Sequence, residues 1–415
     1  MSETLIAPRS ASPRAREAKA PRGLGGIKSE VGRLKTGIFE FDRVFGGGIV
    51  PGSINLVAGD PGIGKSTLLL QVAGALSSQE AGSVLYVCGE ESPEQIKSRA
   101  ERLKVTGQNL DLLPETDIDM IGGRLSASAA LRRDGSATGY QLVIVDSIQT
   151  LTTGDLAGGA GSIGQVRECA ERLRRMAKDS KTAIILVGHV TKAGGIAGPK
   201  VLEHIVDGVF SLEGDRFHSF RILRASKNRF GPTFEVGIFA MGAKGLRAVE
   251  NPSSLFLSER NAESSGSVVV ATLEGTRPVL VEIQALAVPS RFKYPHRATS
   301  GFSARRLDLL CAVLEKRVGF DLQGKDLYVN VASGMRVAEP AADLGVVLAL
   351  ASVTKGRPLG SKVCVFGEVG LSGEVRNVSD QERRVSESAR LGFSEVICPP
   401  KIKTVSQALS AAGIS

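Results

Sequence analysis

Apolar residues in the first half of this sequence come as short, nearly unbroken runs, each stopped by a polar or charged residue. INLVA leads into Gly59, VLYVC into Glu90 and Glu91, LVIV into Asp146, and AIILVG into His189. Runs this short are too brief for most helices, and they lack the alternation of a strand with one wet face. They predict strands buried on both sides in a parallel sheet, whose C-terminal ends face a ligand crevice. Between them, STLLLQVAGAL and IGQVRECAERLRRMAKDS repeat apolar residues at helical spacing. The glycine-rich stretch ahead of the second helix reads as a mobile loop facing a central channel. Farther on, SFRILRAS and FEVGIFAMGAKGLRAV read as a hairpin, with Lys227-Asn228-Arg229-Phe230-Gly231 near its turn.

The pattern changes at about Ser253. A polar, Ser-rich connection leads to two strands joined at Gly275-Thr276, then to the amphipathic RRLDLLCAVLEKRVG. Strand, loop and helix follow in KDLYVNVASGMRVAEPAADLGVVLALASVTKG, and VCVFGEVGLSGEVRNV reads as a hairpin. Strands mixed with helices in this way predict an α+β domain. The organisation expected is a tail over 1–33, an α/β domain over 34–252 and an α+β domain over 253–415.

Composition narrows the class. At 415 residues the chain has room for two or three domains, and its mean hydropathy of +0.05 includes no run long enough for a membrane helix. No hydrophobic segment at the N-terminus suggests secretion, so a cytoplasmic location is expected. The five cysteines are scattered without a C-x-x-C pair, which predicts reduced, buried thiols and neither a disulfide frame nor a zinc site. The net charge of +9 favours a polyanionic partner, but the first 35 residues hold eight cations against three acids and so carry more than half of the excess. Their Pro, Ser, Ala and Gly content cannot build a core.

The sharpest motif follows the first apolar run. Gly59, Gly64, Lys65 and Ser66 satisfy G-x-x-x-x-G-K-[ST] between a strand and a helix. Glycines let backbone amides close on phosphate oxygens, and the helix N-terminus adds a favourable dipole. Gly59, Asp60, Pro61, Gly62, Ile63, Gly64, Lys65, Ser66 and Thr67 are therefore the expected ATP-binding loop. Lys65 should reach the β- and γ-phosphates, with Ser66 and Asp146 holding Mg²⁺, the carboxylate through water. Glu90 is placed to polarise the attacking water, as general base or orienter, or else is a solvated strand end. His189, beside Thr191 and Lys192, either senses the γ-phosphate or only caps its strand.

Four stretches together carry a family likeness: LKTGIFEFDRVFGGGIVPGSINLVAGDPGIGKSTLLLQ, GEES, GHVTKAG…AGPKVLEHIVD and RASKNRFGPT. The sequence resembles the RadA (Sms) family of bacterial DNA repair proteins from about Leu34 to its end. The resemblance implies a RecA-like P-loop ATPase core followed by a Lon-protease-like domain, assembled as a homo-hexameric ring. It implies a DNA-dependent ATPase that acts as a helicase or branch-migration motor on recombination intermediates. Its expected partners are single-stranded and branched DNA and the RecA recombinase. Members usually begin with a four-cysteine zinc finger, and without cysteine pairs none is expected here.

The Lon-like likeness also has gaps. Peptidases of that type need a Ser activated by a Lys. Pro340 aligns with their loop, but Ala341 stands at the Ser position and Glu382 at the Lys position; Ser333 and Ser379 fall at the wrong places. A methyl group cannot attack a carbonyl, so a scaffold without proteolysis is expected. In RecA-like rings each nucleotide lies between subunits. Lys227 and Arg229 are then candidates for trans fingers on ATP, for contacts to DNA phosphates, or for a solvated turn, and a coupling role between ATP and DNA is favoured. Two other readings stay open: an ATP-binding ring that loads recombination partners without unwinding DNA, and a KaiC-like autokinase.

Overall fold

The short apolar runs pair as expected, side by side, in a computed structural model that describes residues 32–79, 83–107, 109–131, 139–189, 199–214, 220–257, 260–291 and 295–414. Most of the expected tail, and Thr191 and Lys192, lie outside the described residues. The helix α1 (Phe39–Val44) precedes strand β1 (Ile54–Gly59), which enters α2 (Lys65–Ser77) through the glycine loop. Then come β2 (Val84–Cys88), α3 (Pro93–Arg102), β3 (Leu110–Leu113), α4 (Ile118–Leu131), β4 (Leu142–Asp146), α5 (Ile163–Ser180) and β5 (Ala183–His189). A single-turn α6 (Pro199–Leu202) leads to β6 (Gly208–Glu213), β7 (Phe220–Asn228), β8 (Val236–Gly242) and β9 (Gly245–Ala248).

These strands form one sheet in the order β3-β2-β4-β5-β1-β6-β7-β8-β9. The first six are parallel and the last three antiparallel. Every residue of β1, β2 and β4 is buried, as unalternated apolar runs require. Two strands of this sheet were not expected. β3 is too short and too polar to stand out, and β6 lay hidden in a stretch rich in turn and helix formers. FEVGIFAMGAKGLRAV is itself two strands, β8 and β9.

The glycine-rich loop before α5 is tied down. Gln165 is buried, accepts from the Thr153 amide at 2.8 Å and donates to the carbonyls of Thr153, Leu156 and Gly158. Arg172 adds pairs to Asp155 and Asp119 at 2.5 and 2.7 Å. Glycine content suggested mobility, but one buried amide supplies the partners that the loop backbone needs.

After α7 (Pro252–Phe256), a second sheet begins with β10 (Ser267–Glu274) and β11 (Arg277–Pro289), joined at Gly275-Thr276. It continues with β12 (Arg297–Ser300), α8 (Ala304–Val313), β13 (Lys325–Val331), α9 (Asp343–Lys355) and β14 (Val363–Val365). The small hairpin β15 (Glu368–Val369) and β16 (Val375–Arg376) stands apart, before α10 (Gln381–Arg390), β17 (Glu395–Ile397) and α11 (Val405–Ala411). The order is β12-β13-β11-β10-β14-β17.

Residues Arg33–Ser415 form one compact unit, and the turn between β10 and β11 is where the two sheets meet. Arg224 of β7 pairs with the buried Glu274 at 2.6 Å, and Arg277 reaches the buried Glu40 of α1 at 2.9 Å. Ile238 of β8 packs into the apolar core of the second sheet. Among the described residues no helix is long and apolar enough to cross a membrane.

Candidate nucleotide site and the Lys227–Gly231 turn

The loop from Gly59 to Ser66 folds tightly because its glycines take positions a side chain could not. A Cβ on Gly59 would come within 2.5 Å of the Leu212 carbonyl, and Gly64 caps α2 at φ +114°. Buried Arg221 of β7 donates to the Ile63 carbonyl at 3.0 Å and so braces the loop from below.

Lys65 opens α2 and is 4% exposed. Its ammonium donates to the carbonyls of Gly59 at 2.9 Å and Asp60 at 3.1 Å. Burial pulls its pKa below the usual lysine value, while Asp146, Glu90 and Asp60 work against that shift. The ammonium also lies 3.2 Å from Nδ1 of His189. An ammonium can only donate, so that nitrogen accepts, and Nε2 of the ring carries the proton. Nε2 then donates to Oε1 of Glu90 at 3.3 Å.

The ends of β1, β2, β4 and β5 thus bring Lys65, Glu90, Asp146 and His189 together. Ser147 donates a second hydrogen bond to Glu90 at 2.6 Å. The hydrogen bond from His189, with those from Ser147 and the nearby Lys65 charge, holds the Glu90 carboxyl down to about 2 against its partial burial. A carboxylate that acidic accepts a proton poorly but orients a water well. Asp146 is buried, which raises its pKa; hydrogen bonds from Tyr86, at 2.6 Å, and from Ser66 oppose the rise. One carboxylate and one hydroxyl, side by side at a phosphate-binding loop, are the hard oxygen donors that Mg²⁺ takes while keeping water and phosphate as its other ligands. Glu91, the other acid of the pair, turns away to Arg99 at 2.5 Å.

Three supports escaped the sequence reading. Tyr86 holds Asp146, Ser147 holds Glu90, and Arg221 holds the loop. Tyr86 and Arg221 had a signal, since each interrupts an apolar strand with a polar group that needs a partner once buried. Ser147 had none, because a serine after a strand is commonplace.

The Lys227–Gly231 turn stands elsewhere. Asn228 lies in one row of the sheet with Gly208 and Asn55, near the start of β1, whereas the phosphate loop begins at its end. That separates the two by roughly 13 Å along the strand. Lys227 is half-buried, and its ammonium donates to the carbonyls of Glu203 and Val206, the latter at 2.8 Å. Arg229 is 54% exposed and pairs with the buried Asp207 at 3.0 Å. Asn228 accepts from the Phe230 amide at 3.0 Å, and Gly231 packs on Gly46. Only Arg229 and Phe230 of the five present exposed side chains.

In the second sheet, Ala341 is fully buried in an apolar cluster with Phe366, Cys364 and Cys398. Glu382 points to solvent. Arg384, on the same helix as Glu382, is 0% exposed, bonded to both carboxylate oxygens of Glu339 and to the Ala271 carbonyl at 2.7 Å. The five cysteines are free and buried, and burial raises each thiol, that of Cys364 to about 12. Among the described residues no group of three or more His, Cys, Asp or Glu could hold a metal ion.

The chain is similar to several known proteins. A family model described as an AAA domain matches residues 20–195, and one described as subunit ChlI of Mg-chelatase matches residues 304–402. DNA repair protein RadA of Bacillus subtilis (strain 168) is 52% identical over 371 residues, covering 89% of this chain and 79% of that protein. DNA repair protein RadA of Streptococcus pneumoniae (strain ATCC BAA-255 / R6) is 48% identical, covering 92% and 89%. A KaiC-like protein of Pyrococcus horikoshii OT3, known from a crystal structure, covers 53% of this chain and 100% of its own at 17% identity and a TM-score of 0.43.

Proposed function

The chain belongs to the RadA family of DNA repair proteins, and on that premise we propose that it is a DNA-dependent ATPase driving helicase or branch-migration work on recombination intermediates. Residues 34–252 serve as the ATPase domain and 253–415 as a ring-forming domain without peptidase activity. The observation that carries the reading is the cluster of Lys65, Asp146, Glu90 and His189 at one end of the first sheet. Lys65, now bonded to loop carbonyls, transfers its ammonium to the β- and γ-phosphates when ATP enters. Ser66 and Asp146 would hold Mg²⁺, which would supply neutralising charge to the phosphates. Glu90 and Ser147 fix the attacking water in line.

His189 has a specific part in this cycle. Its ring bridges Lys65 and Glu90, so drawing Lys65 onto phosphate removes the donor from Nδ1 and frees the ring that orients Glu90. The Lys227–Gly231 turn lies too far from the phosphate loop of its own subunit to serve it. In a homo-hexamer that turn faces a neighbour's ATP or the DNA in the channel, and Arg229 is its available cation. Single-stranded and branched DNA are the substrates, and the RecA recombinase is a partner of the same repair process.

The test is strand displacement and branch migration on synthetic branched DNA, with and without ATP. ATP-dependent product with wild type and none with Lys65→Ala supports the motor. DNA binding and ATP turnover without strand movement would leave a loading ring in its place.

A further inference from the structure

A cavity of about 540 Å³ opens beside Asp60, on the β6 side of the phosphate loop. That volume suits a small-molecule moiety. A nucleotide held by its phosphates at Gly59–Ser66 has to extend its nucleoside away from the loop. On the β5 side, Lys65, His189 and Glu90 already fill the space with a connected polar chain, and Asp146 lies beside it on Tyr86. The β6 side is open.

The walls suit a base and a sugar. Ile63, Leu212, Ile222 and Met335 back the cavity with apolar side chains, of which Ile222 is the most accessible and the other three are buried. Glu213 lies on the rim, about half exposed, bonded to Ser211 at 2.9 Å and Arg224 at 3.2 Å. Its carboxylate can accept from ribose hydroxyls. Arg336 also lines the cavity; it is exposed and makes no hydrogen bond or ion pair among the described residues. A guanidinium without a partner is free to stack on the face of a base. Met335 and Arg336 come from the loop after β13, in the second sheet, while the rest of the cavity comes from the first.

We propose that this cavity takes the base and ribose of ATP, and that Arg336 is the residue through which the C-terminal half contacts the nucleotide in its own subunit. The proposal rests on the ATPase reading and adds a second module to the site. The ring-forming half then reports directly on occupancy, since the loop bearing Arg336 touches a bound nucleotide and is left without that contact when the nucleotide departs.

The experiment compares two ligands of the full-length chain in the presence of Mg²⁺: ATP, which has a nucleoside, and inorganic tripolyphosphate, which has none. Dissociation constants are measured for wild type, Arg336→Ala and Lys65→Ala. Arg336 has no bonded partner to lose, so its variant should melt with wild type. The proposal expects Arg336→Ala to weaken ATP about tenfold, the scale of a desolvated cation–π contact, and to leave tripolyphosphate unchanged. Lys65→Ala should weaken both ligands. Unchanged ATP affinity in Arg336→Ala, or an equal loss for both ligands, overturns the proposal and leaves the phosphate loop standing. If wild type binds neither ligand in a Lys65-dependent way, the ATPase reading falls and the proposal falls with it.

Discussion

Both halves of the molecule place a loop and a helix N-terminus beside charged groups at strand ends, but one half leaves the arrangement open and the other closes it. In the first sheet, Lys65 rests on carbonyls that a phosphate can replace, and Glu90 and Asp146 keep part of their coordination free. In the second, Ala341 lies inside an apolar cluster, and the nearby Arg384 makes four hydrogen bonds, to Ser379, Ala271 and both carboxylate oxygens of Glu339. Asp343, at the start of α9, is likewise locked by Arg306 at 2.9 Å and by the Val369 amide. Charge in a site that turns over is held by exchangeable partners. Charge that only holds a fold is paired completely, because a buried ion left alone is costly.

That contrast can be broken most sharply at its two ends. Lys65→Ala should lower ATP turnover on the order of a thousandfold, as the loss of a charge-stabilising group at a reacting centre does, against a stability cost of only about 1–3 kcal/mol for the Gly59 and Asp60 carbonyls left without their donor. Arg384→Ala should do the reverse. It strands Glu339 and should cost about 3–5 kcal/mol of stability in urea denaturation, with ATP affinity kept as long as the chain is folded. If Arg384→Ala proved as stable as wild type, the second half would not be the closed one.

Glu90 sharpens the open side. Its folded pKa of about 2 lies below the ordinary 4.5, so it contributes stability above pH 4.5 that fades as pH falls toward 2. Its side chain is 42% exposed, so solvent keeps that contribution small. The ATPase pH profile should therefore show no acid limb from Glu90 between pH 5 and 8. Glu90→Gln should lower kcat about a hundredfold at every pH in that range. An acid limb near pH 6 in wild type that vanished in Glu90→Gln would mean the carboxylate works as a general base.

Lys227 and Arg229 give a smaller contrast within one turn. Lys227→Ala leaves the Glu203 and Val206 carbonyls without their donor and should cost about 1–3 kcal/mol. Arg229→Ala removes a partner of the buried Asp207, which keeps its hydrogen bond from the Ile54 amide at 3.1 Å; because the guanidinium is 54% exposed, water can take its place and the cost should be about 1 kcal/mol. Equal melting temperatures for the two variants would contradict the bonding seen for Lys227. The smallest effect on activity should come from Ala341→Ser, which adds a hydroxyl to an apolar cluster with Glu382 where the activating lysine would have to stand, and which should yield no peptide cleavage in a casein assay.

What the sequence made legible follows from range. The phosphate loop, the buried strands and the acid at the end of β4 are local patterns, since strand, turn and helix are contiguous there. The role of Lys227 was not legible. Its partners, the carbonyls of Glu203 and Val206, carry no side-chain signature, so a cation that reads as a surface charge is in fact a structural donor. Tyr86 and Arg221 were visible only as interruptions of apolar strands, because their partners lie 60 and 158 residues away. Arg336 was silent for a related reason: only the docking of the second sheet onto the first brings it to the phosphate loop.

The expected link between ATP turnover at Lys65 and DNA runs through the Lys227–Gly231 turn. It is tested most directly by the ATPase rate of wild type and Arg229→Ala across single-stranded DNA concentration at two salt levels. DNA should raise the wild-type rate, and Arg229→Ala should lose this rise. A rate restored by more DNA or less salt would put Arg229 on DNA, and a low rate at saturating DNA would put it on a neighbour's ATP. A wild-type rate indifferent to DNA, or an Arg229→Ala response identical to wild type, would contradict the link.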